Sequence, residues 1–75
     1  MPLRPVERDA VREAWAWAME YEFSTRERCA ADIGVTFQTA CNWFDGFSTA
    51  TGDKVVQFSI GYPDTYAAMQ ARVAA

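Results

Sequence analysis

A chain of 75 residues with 51% apolar content, 15% aromatic content and a net charge of −3 reads as one small folded domain over 1–75. It does not read as a disordered segment, which needs low hydrophobicity and high net charge. A core of this size buries about 60–65% of the unfolded surface and leaves no room for a large active-site cavity.

The N-terminal Met-Pro-Leu-Arg-Pro has no secretory apolar stretch, and no apolar run reaches the roughly 18–20 residues of a membrane span. Two cysteines and no histidine make neither a disulfide framework nor a common zinc set. A cytoplasmic, reduced setting without cofactor, metal or membrane partner is expected.

The first helix is expected to start at Pro5, because proline suits the first helical position, where its missing N–H is an orphan anyway. It should run to Tyr21 or Glu22. Val11, Ala14, Trp15 and Ala18 recur at helical spacing, and Ala10, Trp17 and Tyr21 widen that stripe to roughly 200°, more than the stripe of about 100° that one contact requires. Either this helix packs against two neighbours, or Trp17 and Tyr21 form a dimer interface.

Ser24-Thr25-Arg26-Glu27 has the form of a capping box, predicting a second helix over Thr25–Ile33 that ends at Gly34. Thr36 can cap a third helix over Phe37–Asp45, closed by Gly46. Phe47 to Ala50 reads as a loop. A fourth helix begins at Thr51-Gly52-Asp53, with Asp53 suited to the positive end of the helix dipole and with Val55, Phe58, Ser59 and Tyr62 on one face. Pro63 restarts a fifth, along which Tyr62, Tyr66, Met69 and Val73 align. The expected fold is all-α, a bundle of about five short helices.

Within it, two short helices joined by a three-residue turn headed by glycine define a helix-turn-helix. Ala30 allows a close helix crossing, Gly34 the reversal, and Val35, Ala40 and Trp43 are inward anchors. The stretch "RERCAADIGVTFQTACNWFDG" is similar to the Ala…Gly-Val-Ser/Thr…Trp pattern of the phage-repressor or Xre-like helix-turn-helix family. "TGDKVVQFSIGYP" resembles the helix that follows the motif there. Cys29, Ala40 and Phe44 depart from the family's usual residues.

The resemblance covers most of residues 6–66, with the motif at about 25–45. It implies a lambda-repressor-like domain that lays its third helix in the major groove of double-stranded DNA, as a small transcription regulator of phage or mobile-element type. Thr36, Phe37, Gln38, Thr39, Cys41 and Asn42 then face outward to contact bases. Gln38 and Asn42, four apart, carry amides that can pair with the N6/N7 edge of adenine, and Phe37 with the threonine methyls suits thymine methyls.

The third helix carries no Lys or Arg. Phosphate contacts therefore fall to Arg26, Arg28 and Lys54, together with backbone N–H groups. So few contacts predict weak binding by one copy, which a homodimer would remedy.

The charge balance argues for a rival. Ser24–Lys54 carries three basic residues against four acids, whereas a DNA-binding surface is normally basic. With exposed Phe37 and the surplus aromatics Trp17, Phe44 and Phe47, the same scaffold could serve protein–protein interaction, as an antirepressor, a packaging subunit or an adaptor to the transcription machinery. Enzymatic chemistry is not expected. Without histidine no Ser–His or Cys–His pair can activate a nucleophile, Glu20 and Glu22 point different ways, and the glycines are too scattered for a phosphate loop.

Overall fold

The computed structural model describes residues 7–74. Among them lie five helices, α1 (Arg8–Glu22), α2 (Arg26–Ile33), α3 (Phe37–Phe44), α4 (Asp53–Gly61) and α5 (Pro63–Ala74), and no strand. The fold is an all-α bundle. No helix among the described residues is long and apolar enough to cross a membrane.

Helix α1 begins at Arg8, behind an extended Glu7 that provides no side-chain cap; the expected start at Pro5 lies outside the described residues. Its buried stripe is Ala14, Trp15, Ala18 and Met19, two i,i+4 rows side by side. Val11 is only half-buried while Met19 is fully enclosed, so the inward face is turned toward Met19 relative to the expected one. The reason is that α1 lies in the angle between two helices, α5 and α3, and a two-sided groove needs two rows of apolar residues.

The cap of α2 is one residue later than the capping-box pattern predicts. Thr25 is the N-cap, accepting a hydrogen bond from the Arg28 N–H at 3.0 Å. The position three beyond this cap is therefore Arg28, which has no acceptor, and the reciprocal glutamate bond of a capping box cannot form. At the other end Gly34 adopts the left-handed conformation, φ 85°, and the N–H groups of Gly34 and Val35 both return to the Ala30 carbonyl.

Thr36 caps α3 through the Thr39 N–H at 3.1 Å. Asp45 is the C-cap of α3 instead of its last helical residue. Gly46, at φ 77°, completes a Schellman closure in which Phe47 N–H reaches the Asn42 carbonyl and Gly46 N–H that of Trp43. The loop that follows tucks in Ala50, which is buried.

One buried cluster draws on all five helices. Trp15 of α1 is its hub, meeting Trp43 of α3 edge to face at 5.4 Å and Phe58 of α4 at 5.2 Å. Such aromatic contacts contribute about 0.5–1.5 kcal/mol each beyond area burial. Phe58 in turn contacts Tyr62, which meets Phe23 edge to face. Trp15 Nε1 is buried without a nitrogen or oxygen partner, the one such side-chain atom among the described residues. Helix α5 joins through Met69 and through the buried Thr65, whose hydroxyl donates to the Glu22 carboxylate at the end of α1.

Candidate functional site

Whether α3 can meet a partner depends on how it is held. Ala40 (0% exposed) and Trp43 (3%) face inward, and Val35 of the turn packs against the same cluster. Cys29 is fully enclosed and 3.8 Å from the Met19 sulfur. Burial, with the nearby Asp32 charge, pushes its thiol up to about 11. It behaves as a small core residue.

The turn is fixed from outside as well. The Ile33 carbonyl at the end of α2 accepts from the Gln57 amide at 3.1 Å and the Lys54 ammonium at 3.4 Å, both on α4. A helix C-terminus leaves its last carbonyls unsatisfied and carries partial negative charge, so a cation and a donor there are favourable. Gln57 was not singled out in the sequence. It lies 24 residues from Ile33, and no local pattern links them.

The opposite side of α3 is open. Thr36, Phe37 and Gln38 are exposed; Thr39, Cys41 and Asn42 are half-buried. Phe37 keeps 50% of its surface in solvent. The Thr36 and Thr39 hydroxyls bond each other at 2.9 Å. The Gln38 amide nitrogen donates to the Asn42 carbonyl oxygen at 3.1 Å. The two side chains thus form a unit that still offers the Gln38 oxygen as acceptor and the Asn42 nitrogen as donor.

Each of the three cations singled out for phosphate contacts has an internal partner. Arg26 grips Asp45 with two nitrogens, at 2.7 and 3.2 Å, and its guanidinium lies 5.5 Å from the Phe44 ring centre. The hydrogen bonds that Arg26 donates to the Asp45 carboxylate, followed by its interaction with Cys41, hold it above its ordinary pKa. Arg28 pairs with Asp32 one turn along α2 at 3.0 Å, and Lys54 holds the turn. Asp45, 19 residues from Arg26, is a second site residue that sequence spacing did not reveal.

The aromatic pair on α1 divides. Trp17 and Tyr21 stack at 5.4 Å, but Trp17 packs against the core and carries Arg72 of α5 over its ring at 4.5 Å. Tyr21 is 69% exposed. Among the described residues no three His, Cys, Asp or Glu side chains come together as metal ligands.

Comparison with protein-family models, curated proteins and solved structures found no match to this chain.

Proposed function

We propose that this protein binds duplex DNA by laying α3 in the major groove, as a small Xre-like, lambda-repressor-like transcription regulator acting in the cytoplasm. One observation carries the reading. Behind a tight glycine turn fixed from both sides, α3 turns Ala40 and Trp43 into the core and leaves Phe37 and Gln38 exposed, with Asn42 half-buried beside them. A major groove about 12 Å wide admits a single helix.

The Gln38–Asn42 unit supports A·T readout. Its free oxygen and free nitrogen are the acceptor and donor that an adenine N6/N7 edge requires. In this reading the adenine contact is shared between two side chains. With its cations engaged internally, one copy would bind weakly, and two copies on adjacent half-sites would bind usefully.

The protein-binding alternative draws on one specific observation. Arg26 and Arg28 are already paired with carboxylates while Phe37 stays half-exposed, a surface that suits an apolar partner better than a polyanion. A gel-shift titration with randomised duplexes at low salt separates the two readings. DNA binding predicts a retarded band, selectable to a preferred sequence, that Gln38→Ala weakens by about 1–3 kcal/mol. No retardation at high micromolar protein would favour the protein-binding scaffold.

A further inference from the structure

The Arg26–Asp45 pair joins the first residue of α2 to the C-cap of α3 through two hydrogen bonds. The two terminal guanidinium nitrogens each donate to a different carboxylate oxygen, the forked arrangement with which arginine also takes a phosphate. Both side chains remain open, at 39% and 38% exposure, so an incoming anion can reach the donors. The Phe44 face beside the guanidinium gives Arg26 a support that does not depend on Asp45. Nor is Asp45 placed for the helix, since a carboxylate at a helix C-terminus faces the negative end of the dipole.

We propose that Asp45 is an internal stand-in for a DNA phosphate. It occupies the donors of Arg26 and holds the affinity for duplex low until the backbone of a well-matched site displaces it. This rests on the DNA-binding reading above and adds to it a residue that restrains binding at the same surface.

The perturbation is Asp45→Asn, which removes the anion and keeps the shape. Each phosphate neutralised contributes about −0.9 to the slope of log K against log salt. Releasing Arg26 should steepen that slope by about 0.9, which, from a common affinity at 1 M salt, corresponds to about eightfold tighter binding at 0.1 M. Fluorescence anisotropy with an unselected duplex, at which the wild-type Asp45 stays on Arg26, reads both quantities. At a duplex selected on the wild-type protein the slope should not change, and circular dichroism confirms that the helices are retained.

Three further proteins complete the test. In Arg26→Gln/Asp45→Asn the gain disappears, because the arginine is what it depends on. Asp64→Asn, on α5, removes the same charge elsewhere and should bind close to wild type. If Asp64→Asn gains as much as Asp45→Asn, net charge alone explains the effect and the proposal fails, while DNA binding stands. Should folded Asp45→Asn bind more weakly than wild type, Asp45 instead positions the helices, and the proposal is again wrong. If neither wild type nor Asp45→Asn binds any duplex, the DNA-binding reading falls and this one with it. Arg26→Gln serves where Asp45→Asn melts early. It should lower the wild-type salt slope by about 0.9 at the selected duplex, and an unchanged slope overturns the proposal.

Discussion

Two glycines of this protein should respond in opposite directions to the same added methyl group. Gly34 sits at φ 85°, whereas Gly61, the last residue of α4, is not among the positive-φ glycines. Space does not distinguish them much. A Cβ on Gly34 would meet the Lys54 ammonium at 3.8 Å, an ordinary contact, and one on Gly61 would meet nothing within 4 Å. The difference is backbone handedness.

A left-handed L-residue costs about 1–2 kcal/mol, partly offset by the 0.4–1 kcal/mol that alanine contributes by restricting the unfolded chain. Gly34→Ala should therefore lose about 0.8 kcal/mol, and Gly61→Ala should gain about 0.4–1 kcal/mol. With an unfolding entropy of about 2.1 cal/mol/K per residue, these correspond to a midpoint about 5 °C lower and one about 3–6 °C higher. Thermal melts followed by circular dichroism at 222 nm read both. A Gly34→Ala protein as stable as wild type, or more so, would refute the left-handed turn and with it the placement of α3. Gly34→Asn, which tolerates this conformation better, should fall between wild type and alanine.

The core makes a harsher prediction. Phe58→Ala empties a site with 0% exposure at the meeting of α1 and α4 and should cost about 3–5 kcal/mol; a urea midpoint within error of wild type would contradict the packing. The Cys29 thiol, raised from 9.0 to about 11, keeps its proton in the native chain between those pH values while the unfolded chain releases it. Below about pH 9 both forms hold the proton and the group has no effect; from there to about pH 11 it should lower stability progressively. Urea titrations across that window should show a decline that is shallower in Cys29→Ala. On DNA, Gln38→Ala and Asn42→Ala should be non-additive, the double variant losing less than the sum of the singles, because each single already breaks the shared amide bond. Strict additivity in a binding titration would argue that the two amides act separately.

Much of the fold was legible in the residues because its signals are local. Gly34, Gly46, Thr36 and Pro63 act within a few residues of themselves, and the helix order followed from them. The errors are also local in origin. Ser24 and Thr25 are both competent caps, and only the downstream partner, Arg28 N–H for Thr25, decides between them.

The candidate site was legible on its inner side, where Ala40 and Trp43 carry the helical spacing. Its electrostatics were not. Arg26 with Asp45 and Lys54 with Ile33 are pairings across about 20 residues of chain, and a list of charges does not say which ones neutralise each other. Cations counted as available for phosphates proved to be engaged within the fold, and two acids counted as an unfavourable background, Asp45 and Asp32, proved to be the partners of Arg26 and Arg28.

The Ile33 carbonyl, shared by Lys54 and Gln57, ties the aim of α3 to a part of the chain made later. On the ribosome that carbonyl lacks its full set of donors until the Gln57 codon has been read and α4 has emerged. A peptide excised at the glycine closing α3 would lack both donors and leave that oxygen to water. Grafting α2 and α3 alone onto another scaffold should therefore transplant their side chains but not the orientation of those side chains.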